Sequence, residues 1–124
     1  MRLSKRRKRL LAACVALLAP ALALAAWAFY FEPSGLTVKE RTLELPRWPR
    51  ELDGLRVAVI ADLHAGSPYV KEDKLRRLVA EVNRLRPDLV LMPGDFVIQD
   101  VAGGRYIPPE TIAAHLKEMR ASLG

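Results

Sequence analysis

Twenty-two consecutive residues, Leu10 to Phe31, carry no charge and no strongly polar side chain. As a helix rising about 1.5 Å per residue, this run is roughly 33 Å long, enough to cross the hydrocarbon core of a bilayer. Pro20 falls near its middle, a placement that membrane helices tolerate. Trp27, Phe29, Tyr30 and Phe31 gather at its far end, where amphipathic rings favour the membrane–water interface. The run is preceded by Arg2, Lys5, Arg6, Arg7, Lys8 and Arg9, with no acid among the first nine residues. Positive charge stays in the cytoplasm, so the expected topology is a cytoplasmic amino terminus, one span and a domain on the periplasmic or extracellular side.

Other addresses fit the same segment less well. A cleaved signal peptide has an apolar core of about 7–15 residues, shorter than this one, although Ala21 to Ala26 offers small-residue cleavage positions. Arg6-Arg7 suggests a twin-arginine signal, but Arg9 stands where such signals carry an apolar residue. Leu11-Ala12-Ala13-Cys14 resembles a lipoprotein box, yet only four apolar residues separate Cys14 from the basic run. The expectation is an uncleaved signal anchor over 10–31, with Cys14 as a small apolar residue inside it.

The formal net charge of +6 belongs to residues 1–9, because the remaining chain holds equal numbers of acids and bases. No basic face is left to track a phosphate backbone, which argues against a nucleic-acid partner. A single cysteine excludes a disulfide scaffold.

Beyond the span, Pro33 and Gly35 mark a turn. Residues 37–45 read as a strand, weakened by Lys39 and Arg41, and Pro46, Trp48, Pro49 and Asp53-Gly54 form a rigid connector over 32–54. Residues 55–61, with Val57, Val59 and Ile60, read as a strand covered on both faces. Leu75, Leu78, Val79, Val82 and Leu85 recur at helical spacing over 71–86. Glu72 with Arg76, and Asp73 with Arg77, are favourable pairs four residues apart, and Pro87 stops the helix. Residues 89–92 form a second apolar strand. Pro108-Pro109 opens a second helix whose stripe is Ile112, Leu116, Met119 and Leu123, with Gly124 as its cap. Strand, helix, strand, helix predicts a right-handed α/β unit with parallel strands. Two such strands alone make a poor sheet, so the chain reads as the amino-terminal portion of a larger domain.

Asp62-Leu63-His64 directly follows the first apolar strand, and Asp95 follows the second after Pro93-Gly94. Two residues apart on an extended chain, Asp62 and His64 project to one side. At the carboxyl edge of a parallel sheet all three stand where open α/β sheets bind ligands, and their oxygen and nitrogen donors suit a divalent cation. Gly66 and Gly94 would let the backbone approach a metal or phosphate. The plain alternative is that each Asp is a turn former. His115, among Ala and Leu in the second helix, reads as a half-exposed helix residue.

"LRVAVIADLHAG" followed by "RPDLVLMPGDFV" resembles the opening of the calcineurin-like metallophosphoesterase superfamily, and within it the membrane-anchored or exported bacterial branch. The resemblance covers about 32–124, with the domain itself at 55–124. It implies an α/β/β/α sandwich, of which this chain carries an amino-terminal transmembrane helix and the first βαβα portion. It implies phosphoester hydrolysis with two divalent ions (Mn, Fe, Zn or Mg), Asp62 and His64 binding the first and Asp95 bridging both. Departures accompany it: Met92-Pro93 replaces the usual Leu-Thr. The family's Gly-Asn-His-Asp/Glu block, which supplies a second-metal ligand and the residue that stabilises the leaving group, does not occur, nor do its later His ligand and Gly-His-x-His block. The expectation is a fragment that is inactive and poorly folded alone. The expected partners are a phosphoester substrate, lipid-linked if proximity to the bilayer is a guide, and the membrane. Two other classes fit as well. One is a membrane-anchored interaction protein in which Asp62, His64 and Asp95 are structural. The other is a lipid-surface module using Trp48, Arg47 and Arg50.

Overall fold

A computed structural model describes residues 4–124 of the chain, so the first three positions of the basic tail, Arg2 included, lie outside the described residues. The chain divides into two units, with the boundary after Gly35.

In the first unit the apolar run is helical, but the helix starts inside the basic run rather than after it. Helix α1 spans Lys5–Ala26, capped by Ser4, whose side chain accepts a hydrogen bond from the Arg7 amide. Pro20 lies within it without ending it. The backbone then widens into a π turn over Trp27–Phe31, which stacks Trp27 on Phe31 with ring centroids 5.6 Å apart. Together, Lys5–Phe31 is long and apolar enough to cross a membrane.

The second unit is built on a parallel pair, β1 (Val57–Val59) and β2 (Leu89–Leu91), joined by helix α2 (Glu72–Leu85) and followed by helix α3 (Pro109–Leu116). The register pairs Val57 with Leu89 and Val59 with Leu91. Helix α2 forms where its stripe predicts: Leu75, Val79 and Val82 are buried, Leu75 completely. Glu72 and Asp73 occupy its first turn, where the helix dipole favours acids, and Asp73 pairs with Arg77 at 3.1 Å. It ends because Arg86 precedes Pro87. A residue before proline is driven out of the α region, and Arg86 adopts a left-handed conformation at φ 50°.

Ile60, Leu63, Ala65, Leu75, Val82, Ile107 and Ile112 form one core, against which Ala58 and Val90 of the strands pack. Only one face of the sheet is covered by the described residues. Val59 is 65% exposed and Val57 is also exposed, so β1 alternates in burial where coverage of both faces was expected. Residues 37–45 form no strand and every one is exposed, because no backbone among the described residues pairs with them.

The second helix is shorter than its hydrophobic pattern, ending at Leu116 instead of running to Leu123. The cause is Asn83 on α2, whose side-chain amide donates to the Glu118 carbonyl (3.0 Å) and accepts from the Arg120 amide (2.7 Å). This diverts the backbone from the helix. Ile112 is buried and Leu116 and Met119 pack on the core, but Leu123 is 67% exposed. Gly124 caps nothing. The Leu123 amide donates to the Asp88 carbonyl (2.7 Å), and the Val90 amide donates to the Gly124 carbonyl (2.8 Å). These bonds lie on the edge of β2 opposite β1.

Asp88 fastens this arrangement. Its carboxylate accepts from the Arg56 amide at the entry to β1 and from the Ser122 hydroxyl, each at 2.9 Å. These two bonds, the Arg56 amide first, lower its pKa below the ordinary value of 3.8. A depressed carboxylate stabilises the fold above its ordinary pKa and loses that contribution as pH falls through the folded value. Asp88→Asn is therefore expected to be less stable than the parent at neutral pH, with the gap closing below about pH 3.9. Thermal unfolding of both proteins across pH checks this.

Candidate metal centre

The two segments that follow the strands are pinned before and after they diverge. The Ile60 amide donates to the Leu91 carbonyl (2.9 Å) as the ladder ends. Pairing then resumes: the His64 amide donates to the Asp95 carbonyl (3.1 Å), the Ala65 amide to Phe96 (2.9 Å), and Ala65 bridges Val97 in parallel. Between these clamps Leu63 is buried in the core while Asp62 and Asp95 are exposed and His64 is partly so. The apolar middle residue thus anchors the Asp-Leu-His segment, and its polar neighbours stay accessible.

Asp62, His64 and Asp95 come together, though not by the alternation of an extended strand. All three are left-handed, at φ 52°, 44° and 58°. They make up half of the non-glycine residues with positive φ among those described, the others being Arg47, Arg86 and Asp100. L-residues disfavour this region by about 1–2 kcal/mol, and Asp and His enter it more readily than most. Such strain persists only where surrounding structure imposes it, here the core anchor of Leu63 and the resumed ladder. Gly94, at φ 137° with open space around it, supplies the turn that presents Asp95.

One ligand atom from each residue lies within 4.8 Å of the others. His64 Nε2 stands 3.1 Å from Asp95 Oδ2. Donors bound to one ion at about 2.1 Å lie at most about 4.2 Å apart, so small rotations of two exposed carboxylates close the set. Two carboxylates and a neutral imidazole carry charge that a dication offsets, and carboxylate oxygen with imidazole nitrogen is a donor set shared by Mn, Fe, Zn and Mg to differing degrees. The donor chemistry therefore fits a divalent ion.

Gly66 does something other than approach a ligand. A Cβ there would meet the Arg105 carbonyl at 2.9 Å, and its own carbonyl accepts from the Arg105 amide at 2.7 Å. It is buried against the 98–107 loop. Gly104 completes this contact, since its hypothetical Cβ would lie 2.5 Å from the Gly66 carbonyl oxygen. A shallow depression lined by Gly66, Asp100, Arg105 and Tyr106 opens at this junction, two residues from His64. Asn83 and Asp88 carry no signal of these roles in the sequence, and Gly104 reads there as part of a loop with Gly103. Only the Gly103-Gly104 pair carries a signal in the sequence. His115 is not part of the cluster; its side chain is only 16% exposed, more buried than expected, with Nε2 3.5 Å from Glu72 Oε2.

Among known proteins, the family model described as calcineurin-like phosphoesterase matches residues 55–121. A transmembrane protein with metallophosphoesterase domain from Danio rerio is 37% identical over 84 residues, covering 66% of this chain and 18% of that protein. UDP-2,3-diacylglucosamine pyrophosphatase LpxG from Chlamydia trachomatis is 31% identical over 98 residues, covering 79% of this chain and 28% of that protein. The uncharacterized metallophosphoesterase YkuE of Bacillus subtilis is 29% identical over 71 residues, covering 57% and 24% respectively. The chain thus spans less than a third of the length of these relatives. No solved structure matches it.

Proposed function

Because its residues 55–121 carry the family match, the chain belongs to the calcineurin-like phosphoesterases, and from that premise we propose that it is the amino-terminal part of a membrane-anchored, metal-dependent phosphoester hydrolase. The observation that carries the reading is the convergence of Asp62, His64 and Asp95 within 4.8 Å at the carboxyl ends of two parallel strands. Asp62, His64 and Asp95 are the residues that would hold the divalent ions. Bound ions would supply positive charge to a phosphoryl group and lower the pKa of a water. The chain's own contribution is positional. The ladder clamps and Leu63 fix the backbone at the three residues, so binding needs only small side-chain rotations.

The described residues provide three such ligands and no separate set for a second ion. In the proposed reading the 124-residue chain binds a divalent ion but does not hydrolyse phosphoesters alone. The anchor occupies 10–31, the tail 1–9 stays in the cytoplasm, the connector is 32–54, and 55–124 lies on the periplasmic or extracellular face. A lipid-linked phosphoester is the proposed substrate class, supported by the anchor and by similarity to a relative named for a diacylated sugar nucleotide. Mn²⁺ titration of the purified chain is the test, paired with an assay on an aryl phosphodiester. Saturable binding without turnover is expected. Absence of binding would sink the metal assignment, and metal-dependent turnover would sink the claim that further ligands are required.

A further inference from the structure

The shallow depression beside the cluster holds about 270 Å³. Its floor is bare backbone at Gly66 and Gly104, where a Cβ on either would collide with a carbonyl oxygen. Its walls carry Asp100, Arg105 and Tyr106 beside the apolar Ile98. Asp100 and Arg105 have opposite charges yet do not pair, and neither side chain has a hydrogen-bond or ion-pair partner among the described residues. We propose that this depression is a subsite for the hydroxylated part of a phosphoester, a sugar or polyol group, which Asp100 and Arg105 hold while the cluster takes the phosphate.

Position ties the depression to the cluster. The 98–107 loop is fastened to the backbone that bears the ligands, the Ile98 amide donating to the Ala65 carbonyl (3.2 Å) and the Arg105 amide to that of Gly66 (2.7 Å). Gly66 lies two residues past His64, at most about 7 Å along the chain. A phosphate on the cluster therefore places the group esterified to it beside this loop. A centre that acts on a substrate keeps this edge open, which favours a substrate group over further protein as the occupant. Chemistry then selects the group. A second anion would meet the Asp100 carboxylate, and a cation would meet Arg105. Hydroxyls suit both, because each can donate to a carboxylate and accept from a guanidinium. Dinucleotide-binding folds use an acid in this way, to take ribose hydroxyls beside a phosphate site. The exposed Tyr106 adds a ring for the C–H surface of a sugar and a hydroxyl for its rim. The space is slightly smaller than the pockets that enclose drug-sized ligands, so it suits a single ring. The role in hydrolysis rests on the metal-centre reading above, whereas the binding of hydroxyls does not.

Two titrations of the full chain, in a detergent without a sugar headgroup, read these parts separately. Methyl α-glucoside added without metal is expected to shift the amide NMR signals of Gly66, Gly104 and Arg105. Calorimetry on the Mn²⁺-loaded chain is expected to find glucose 1-phosphate bound roughly 10-fold tighter than inorganic phosphate or phenyl phosphate, a ratio that one hydrogen bond to a charged group can supply. Asp100→Gly suits the backbone at φ 54° and removes the carboxylate. It should abolish the preference while helical circular dichroism stays as in the parent. Glucoside shifts without Mn²⁺ binding would remove the metal centre and leave the subsite standing. Three results would each overturn the subsite: no glucoside shifts, equal affinity for the three phosphates, or a preference that Asp100→Gly retains.

Discussion

Asp95→Asn is expected to lower the affinity of the chain for Mn²⁺ by at least about 100-fold, while its helical circular dichroism stays as in the parent. Loss of residues that merely support a metal ligand already costs about 10–100-fold, and Asp95 is placed as a ligand itself. Asparagine is the informative replacement because conformation and chemistry separate there. It tolerates the left-handed region that Asp95 occupies at φ 58°. It keeps the shape and one oxygen and removes the charge. A β-branched residue would add backbone strain and confuse a folding defect with a ligand defect. Isothermal titration with Mn²⁺ reads the result. Equal affinity in parent and variant would leave Asp95 as a turn former and remove the main support for a metal centre.

The second large effect is structural and lies outside the cluster. Gly104→Ala is expected to destabilise the fold by about 2 kcal/mol, the middle of the range for overpacked sites. Its Cβ would stand 2.5 Å from the Gly66 carbonyl oxygen and 3.1 Å from that of Val101. Both obstacles are backbone, so no side chain can swing aside. Relief requires the two loops to part, which strains the hydrogen bond from the Arg105 amide to Gly66. A loss of this size lowers Tm by roughly 10 °C in a unit of fewer than 100 residues. Gly66 stands two residues from His64, so weakened metal binding is expected alongside the lower Tm. Unchanged thermal unfolding would show that the loops have room the geometry denies them.

The elements with strong periodicity were legible from the residues. Leu75, Val79 and Val82 lie in the core, and Pro87 ends α2, because an amphipathic stripe and a proline are local properties of the chain. The order of strands and helices follows from the same logic and sets Asp62, His64 and Asp95 just after the two strands, but the way they come together does not. What was not legible depends on partners distant in sequence. Leu123 continues the stripe of α3, yet Asn83, some 35 residues earlier, pulls the chain out of the helix at Glu118. Residues 37–45 alternate weakly, and alternation without a neighbour does not make a strand. Gly66 looked like a place for close approach to a ligand. The approach is real, but the neighbour is the Arg105 backbone. The left-handed backbone at all three cluster residues leaves no trace in the sequence, since Asp and His are common in every conformation that a turn allows.

The clamps on either side of the cluster also bear on the order of assembly. All three side chains come from residues 62–95, and the hydrogen bonds that hold them close a single strand–helix–strand loop. The entropy lost in closing a loop grows only as the logarithm of its length, and contacts local in sequence form early. This loop needs nothing from the hydrophobic amino terminus. The cluster can therefore take shape once these residues and the 98–112 segment that packs against Leu63 and Gly66 are free to pair.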